Sequence, residues 1–406
     1  MYSHFHVSFF DGTKLWNYFS NYFFNPALKH KNLCTFAGKL HINNFSCIMA
    51  NVIKIKKGLD INLKGKASDV LLNGGKSESY AIVPDYYNGI LPKVVAKVGE
   101  KVKAGSVLMI DKNRPEIKFV SPVSGEVTAV NRGEKRKVLS IVVKPDAQIE
   151  YEEFGKKNVA SLQGAEVKEV LLNAGMWPFI KQRPYDIVAA PLDTPRDIFV
   201  SAFYSAPLAP NFDFIVKGQE ADFQTGLNAL AKLTNGKVYV GVRSGSVVSG
   251  MKGVEIVEVE GPHPAANVGV QINHIKPVNK GEVVWTVNPA DVIVIGRLFN
   301  KGVADFSRLV AITGSETTER GYIKTISGCT INSLVAGKIL EGKEDLRIIS
   351  GNVLTGTKVR KDDYLGAYDN QITVIPEGDK TYDFFGWATP GFGKYSVSHS
   401  FFTWLA

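Results

Sequence analysis

The sequence predicts a mixed α+β protein with several domains, and three observations support this. A chain of 406 residues with 45% hydrophobic and 21% charged residues can bury more than one core. Residues 80–145 alternate short apolar strands with Gly and Pro turns, which is typical of a small all-β module. Residues 185–261 alternate strands with a helical period, which is typical of an α/β sheet.

Within the β module, VGEKVKAGSVL (residues 98–108) and SPVSGEV (residues 121–127) resemble biotinyl and lipoyl carrier domains, in which glycines allow tight turns. Lys112 lies where such a carrier presents a lysine for lipoylation. The loop from this lysine to the next turn is longer than a tight carrier hairpin and contains Pro115. We therefore expect Lys112 to be unmodified, and a lipoyl-type carrier is kept as an alternative.

The α/β region is predicted to be Rossmann-like. We expect buried strands at residues 185–190, 197–204, 212–218, 237–242 and 254–260, and a helix over residues 219–236. Phe223, Leu227, Leu230 and Ala231 fall on one face of that helix, and Gly236 is placed for a left-handed C-terminal cap. His274 alternates with apolar neighbours and is predicted to be a structural residue in a strand.

Strands return after residue 308 with a short helix at residues 331–340, which is consistent with a β-grasp module. The predicted division of the chain follows from these patterns. It has an N-terminal extension (1–48), a biotinyl/lipoyl-like β domain (49–150), a Rossmann-like α/β domain (151–304), a β-grasp domain (305–380) and the start of a C-terminal segment (381–406).

Residues 1–48 are rich in Phe, Tyr, Asn and His and show no amphipathic period, so we expect a disordered extension upstream of a natural start at Met49. Several metal-ligand types occur there, but their spacing matches no tetrahedral site. These residues are His4, His6, His30, His41, Cys34 and Cys47.

Several classes of function are disfavoured. The net charge of +9 is dispersed and forms no basic stripe, so nucleic-acid binding is not expected. Cys34, Cys47 and Cys329 form no CxxC, which argues against disulfides, metal sites and iron–sulfur clusters. The best apolar run, residues 291–299, is too short to span a membrane. No hydrolase triad can be assigned, and no GxGxxG or Walker loop is present to hold NADH, FAD or FMN tightly.

Four stretches carry a family resemblance from residue 49 to the end. They are residues 80–143, LLNAGMWPFIKQRPYDIVAAP (171–191), GPHPAANVGVQINHIKPVNKGEVVWTVNPADVIVIGRLF (261–299), and ISGNVLTG with GWATPGFGKYS (349–356, 386–396). In this order they resemble the A subunit of the sodium-pumping NADH:quinone reductase and, more distantly, the C subunit of the Rnf electron-transport complex. The family continues into a helical tail after the last motif, so we expect that tail to be truncated here.

The resemblance implies a biotinyl-like domain, a domain related to the flavin subunit of complex I, and a soluble-ligand-binding β-grasp domain. It also implies a peripheral place in a six-subunit complex on the cytoplasmic face of the bacterial inner membrane, close to ubiquinone or menaquinone. NADH, FAD, FMN and iron–sulfur centres would then be bound by other subunits, and the chain would have no activity by itself.

Two groups of residues are candidates for contact with quinone. Gly261, Pro262, His263 and Pro264 form a loop in which the two prolines hold the imidazole rigidly, so His263 could bond or protonate a quinone oxygen. The alternative is a loop histidine that packs against the β-grasp domain. Met176, Trp177 and Phe179 could line an apolar slot or belong to the core.

The sequence thus predicts a subunit of an NADH:quinone oxidoreductase coupled to sodium export, which contributes to quinone interaction and assembly. A scaffold that only docks the other subunits is the main alternative. No spanning segment, lipidation signal or amphipathic basic helix is found in the sequence, so membrane contact is expected only through partner subunits.

Overall fold

A computed structural model describes residues 52–340 and 345–378 of the chain. The predictions on residues 1–48 and 381–406, including their histidines, Cys34, Cys47 and the GWATPGFGKYS motif, lie outside the described residues. Within the described part, an all-β segment is followed by alternating strands and helices and then by a second strand-rich segment. The mixed α and β character predicted from the sequence is therefore confirmed.

The first strand, β1 (Val52–Lys54), belongs to the sheet of the α/β region, where it pairs in parallel with residues 258–260. The chain then crosses to the C-terminal strands: Leu72 N donates to Tyr322 O at 2.7 Å and Gly75 N to Ser333 O at 3.2 Å. The β domain was predicted to begin at residue 49, and its first strand pairs outside the β module. Alternation of apolar residues reveals a strand but not the sheet that it joins.

The β module contains two antiparallel sheets, one in the order β2-β8-β7-β4 and the other in the order β3-β5-β6. Its strands are β2 (Tyr80–Ile82), β3 (Pro92–Val94), β4 (Lys101–Val102), β5 (Val107–Asp111), β6 (Lys118–Val120), β7 (Gly125–Arg132) and β8 (Val138–Pro145). Leu108, Met109, Phe119 and Ile141 from both sheets are fully buried in one core. Apolar residues that alternate along short strands thus hold the module together.

The α/β module has a sheet in the order β1-β13-β12-β11-β14-β9-β10, and the first five of these strands run parallel. The strands are β9 (Ile180–Arg183), β10 (Ile187–Val188), β11 (Ile198–Ser201), β12 (Val238–Val242), β13 (Glu255–Glu260) and β14 (Val284–Val287). The helices are α1 (Gly164–Asn173), α2 (Phe212–Val216), α3 (Glu220–Ala231), α4 (Val268–Ile275) and α5 (Pro289–Lys301).

Helices α3 and α5 approach closely because glycine lies at their contact. A Cβ atom on Gly296 would lie 1.7 Å from Asp222 O, and one on Gly226 would lie 2.1 Å from Val292 O. Helix α5 is buried over most of its 13 residues. Among residues 52–340 and 345–378, no helix combines the length and apolar character needed to cross a membrane.

In this module the structure corrects two sequence predictions and confirms a third. Residues 212–218 form helix α2 rather than a strand, and Asn211 caps it by accepting a hydrogen bond from Asp213 N. Phe212, Phe214 and Val216 alternate as in a strand, and a helix of five residues is too short for its period to be distinguished. Helix α3 ends at Ala231, and Gly236 instead permits close approach to Arg196 O, 2.0 Å from its ideal Cβ position. The predicted apolar face of α3 is confirmed, because Phe223, Leu227 and Leu230 are fully buried.

The C-terminal module is a five-stranded sheet in the order β16-β15-β19-β17-β18, in which only β15 and β19 pair in parallel. Its elements are β15 (Ser307–Thr313), β16 (Gly321–Ile326), helix α6 (Ile331–Val335), β17 (Leu346–Ser350), β18 (Thr357–Val359) and β19 (Gln371–Pro376). The predicted helix over residues 331–340 is thus too long. Ala336 is extended, and Gly337 has a φ of +69°.

Candidate functional site

A cleft lies at the carboxyl edge of the parallel sheet. Strands β11, β12 and β13 are neighbours and end at this edge, where open α/β sheets usually bind ligands. The cleft has a volume of about 390 Å³, within the range of small-molecule sites. Its lining residues are Asp60 to Leu63, Lys66, the loop and helix start at residues 202–213, Arg243 and Ser246.

The loop after β11 has the sequence AFYSAPLAPN and contains no glycine. Phosphate-binding loops at this position need glycine so that backbone N–H groups can approach the phosphates closely. Here the loop places Phe203, Tyr204 and Leu208 at the cleft instead. The helix that follows it, α2, has only five residues. The cleft is therefore shaped by aromatic and aliphatic side chains and not by a phosphate cradle.

Tyr204 fills the point where the strand order reverses, between β11 and β14. Its hydroxyl bonds to Asn288 Oδ1 at 3.0 Å and to Asn370 Nδ2 at 3.0 Å, so it ties the α/β module to strand β19. Burial raises the pKa of Tyr204, which keeps the phenol protonated. The crevice that would receive a dinucleotide in this type of sheet is closed by these side chains.

Arg243 follows β12 and connects two sides of the cleft. Its guanidinium lies 4.6 Å from the centre of the Phe203 ring, and its Nη2 donates to Gly261 O at 2.9 Å. Gly261 has a φ of +121°, and a Cβ atom there would lie 2.2 Å from Ile55 O. Only glycine fits this position, which explains the first residue of the GPHP loop.

His263 is bound to two residues that line the cleft. Its backbone N donates to Asp60 Oδ1 at 2.8 Å, and its ring Nδ1 lies 3.0 Å from Ser205 Oγ. Ser205 Oγ also accepts from Ala266 N at 3.0 Å, so its own hydrogen can be donated to Nδ1. When Ser205 donates this hydrogen, the proton of the neutral ring resides on Nε2. No hydrogen bond of His263 to the C-terminal module occurs in the described structure, so these bonds do not support the alternative of packing against it.

The cleft is lined by equal numbers of acidic and basic side chains. Asp60 and Asp213 oppose Lys66 and Arg243, and Asp213 accepts from Ser246 Oγ at 2.6 Å. A cleft of this kind does not favour a polyanion.

Met176, Trp177 and Phe179 lie elsewhere, in the interior where the three modules meet. Met176 and Trp177 are fully buried, and Trp177 Nε1 donates to Ala189 O at 2.8 Å while its ring packs edge-on against Trp285. Phe179 lines a cavity of about 40 Å³, which has room for roughly three water molecules. These residues belong to the core, and the cavity beside Phe179 is too small for a quinone ring.

A buried ion pair lies in the same interior. Arg308 Nη2 contacts Asp291 Oδ1 at 2.9 Å, and both side chains are almost inaccessible. Asp291 Oδ2 and Arg308 Nε have no hydrogen-bond partner among the described residues. Burial raises the pKa of Asp291 to about 6, against the opposing effect of Arg308. We call the buried region formed by Met176, Trp177, Phe179, Asp291 and Arg308 the junction.

Lys112 lies in the exposed loop between β5 and β6. Its backbone N donates to Leu91 O at 2.7 Å. Arg114 in the same loop bonds to Asp111 at 2.7 Å and to Val188 O at 3.1 Å. The loop is therefore fastened to the α/β module, unlike the free hairpin on which a carrier presents its lysine.

Sequence reasoning missed Asp60, Tyr204, Ser205 and Arg243. The last three follow strands β11 and β12, so the end of each predicted strand was the available signal. His274 was placed in a strand, but it lies exposed on helix α4, where its Nδ1 bonds to Val270 O at 2.9 Å. Its apolar neighbours at alternate positions also fit a short helix.

Three family models match the chain. They describe an NqrA N-terminal barrel-sandwich hybrid domain (residues 53–146), an NqrA second alpha/beta domain (162–304) and an NQRA C-terminal domain (309–361). Two relatives, from Neisseria meningitidis serogroup A and Yersinia pestis bv. Antiqua, are each 37% identical to this chain over 354 residues. Both are named as the A subunit of Na(+)-translocating NADH-quinone reductase. Each match covers 86% of this chain and 78% of the relative.

Among solved structures, a chain of an NAD+-reducing NiFe-hydrogenase in the H2-reduced state matches at 12% identity with a TM-score of 0.33. The match covers 46% of this chain and 41% of that one. A likeness at this level carries no inference about function.

Proposed function

Because this chain belongs to the family of the A subunit of Na(+)-translocating NADH-quinone reductase, an oxidoreductase complex, we propose that it holds quinone in the cleft at the carboxyl edge of its parallel sheet. It acts as a peripheral subunit on the cytoplasmic face of the membrane. NADH is oxidised elsewhere in the complex, whose other subunits are its partners. The quinone is ubiquinone or menaquinone.

The character of the cleft supports this proposal. Its size suits a small molecule, its lining carries Phe203, Tyr204 and Leu208, and its charges balance. An uncharged ring with carbonyl oxygens matches such a lining better than a nucleotide does. The same features support the proposal that NADH, FAD and FMN are not held tightly by this chain.

His263 supplies the polar contact in this proposal. When Ser205 donates to Nδ1, the neutral ring carries its proton on Nε2, the atom that would donate to a quinone oxygen. Asp60 fixes the backbone of the same residue, which limits the movement of the loop. Of the candidate quinone residues, those at residues 261–264 are therefore retained, whereas Met176, Trp177 and Phe179 are assigned to the core.

A titration tests the quinone site. The purified full chain is titrated with a short-chain quinone, and the dissociation constant is compared with those of Ala206→Trp and Ala221→Trp. Ala206 lines the cleft, so its indole should weaken binding about ten-fold or more by filling the space. Ala221 is exposed on helix α3 and serves as the control. Absence of quinone binding by the native chain would favour the scaffold alternative.

The peripheral role is tested by fractionation of cells that lack the membrane subunits. We expect the chain to move to the soluble fraction, since attachment by partners is lost. Its full retention in washed membranes would contradict the proposal that partners provide most of the attachment.

A further inference from the structure

The tip of the β7–β8 hairpin, residues 132–137, has the sequence Arg-Gly-Glu-Lys-Arg-Lys. We propose that this basic tip contacts the anionic headgroups of a phospholipid membrane. Four of its six residues are cationic and one is anionic, and every residue except Gly133 is exposed. It joins the two longest strands of the β module, and none of its residues lines the cleft.

The backbone of the basic tip is strained in a way that glycine would relieve. Lys137 N donates to Glu134 O at 3.0 Å, and the two residues between them, Lys135 and Arg136, have φ angles of 52° and 61°. Hairpin turns with positive φ at both central residues strongly favour Asn-Gly. The chain instead places two long cations there, at a cost in stability. Strain that is retained at an exposed position points to a function for the side chains.

The cations at the centre of the turn are available for binding. Lys137 Nζ pairs with Asp85 at 2.6 Å, which fastens the tip to the body of the module. In the described part of the chain, Lys135 and Arg136 form no ion pair. Leu139 lies beside the turn with 43% of its surface exposed, and a Cβ on Gly133 would be 3.3 Å from it. Cations around an exposed leucine match the boundary between headgroups and acyl chains.

The geometry favours lipid over an acidic protein. A specific protein interface usually buries more than about 1,000 Å², which a convex tip of six residues cannot provide by itself. Attraction to anionic headgroups needs only cations near the surface and contributes about five-fold in affinity for each. The contact is weak alone, so it adds to attachment by partners without replacing it. The inference depends on the proposed function in one respect, which is that the chain lies near a membrane.

Vesicle sedimentation tests the proposal with the purified full chain at low salt. The vesicles contain phosphatidylcholine alone or with about 30% phosphatidylglycerol, an anionic lipid. We expect binding to the anionic vesicles only, reduced about ten-fold or more by Lys135→Gln/Arg136→Gln. The control variant Arg360→Gln/Lys361→Gln removes the same charge from two exposed neighbours in the C-terminal module and should change binding by no more than about two-fold.

A third variant separates charge from folding. Lys135→Asn/Arg136→Gly should lose vesicle binding to the same extent while raising the melting temperature by a few degrees, because the turn strain is removed. Equal losses of vesicle binding in the tip and control variants would assign the binding to net charge and overturn the proposal. Absence of binding of the native chain to anionic vesicles would also overturn it. An acidic protein would then be the remaining partner for the tip. The quinone affinity of the same variants should be unchanged. A failure of the membrane proposal can therefore be distinguished from a failure of the proposed quinone site.

Discussion

The loop beside the cleft and the junction contain the two groups of residues that the sequence predicted for quinone contact, and these groups differ in solvent exposure and in hydrogen bonding. Beside the cleft, His263 is partly exposed, and its backbone N and ring Nδ1 are bound to Asp60 and Ser205. In the junction, Trp177 is inaccessible and the Asp291–Arg308 pair leaves polar atoms without partners among the described residues. The difference indicates that the junction governs stability, whereas the role of the cleft in binding is the proposal that the predictions below test.

The largest expected effect comes from breaking the buried ion pair. Arg308→Met leaves the Asp291 carboxylate without its counter-charge, so we expect a loss of about 3–5 kcal/mol in the free energy of unfolding at pH 8. Urea denaturation would measure it. The double variant Asp291→Leu/Arg308→Met removes both charges and should recover most of that loss. A double variant as unstable as the single one would show that packing, not charge, explains the effect.

The same pair predicts how stability depends on pH. Burial raises the pKa of Asp291 from 3.8 to about 6, so between these values the folded state binds a proton that the unfolded state releases. The contribution of this group to stability is complete below pH 4 and falls by up to about 3 kcal/mol as the pH rises to 6. We expect the native chain to lose this stability relative to the double variant over that interval. Parallel pH curves for the two proteins would contradict the assignment.

Some of this organisation could be predicted from the sequence, and the reasons for the failures are specific. Helix α3 was found because Phe223, Leu227 and Leu230 repeat with the helical period. Helix α2 was missed because its five residues are too few to distinguish that period from the alternation of a strand. The GPHP loop was predicted to be rigid from its two prolines, but the partners of His263, Ser205 and Asp60, are 58 and 203 residues away in sequence. Such distant contacts leave no local signal.

A comparison of Trp177 in the junction with its neighbour Trp285 should give a smaller effect. Trp177→Phe removes the indole donor to Ala189 O and leaves a buried acceptor unpaired, which should cost about 1–3 kcal/mol more than Trp285→Phe. Trp285 is the matched control because it is equally buried and its Nε1 has no partner among the described residues. Neither change should affect the quinone titration. A change in affinity for Trp177→Phe alone would return that residue to the list of quinone contacts.

The smallest expected effect on stability lies in the cleft. Ser205 Oγ bonds to both Ala266 N and His263 Nδ1, so Ser205→Ala should cost only about 0.5–1.5 kcal/mol, because the site is partly exposed to water. Quinone affinity should fall nonetheless, since the imidazole loses the bond that fixes its tautomer and orientation. Ser249→Ala is the control, because Ser249 Oγ is buried without a partner among the described residues, so its removal should not lower stability and should leave quinone affinity unchanged. If Ser205→Ala lowers stability with no loss of quinone affinity, then the cleft serves the fold in the same way as the junction, and the distinction between the two regions fails.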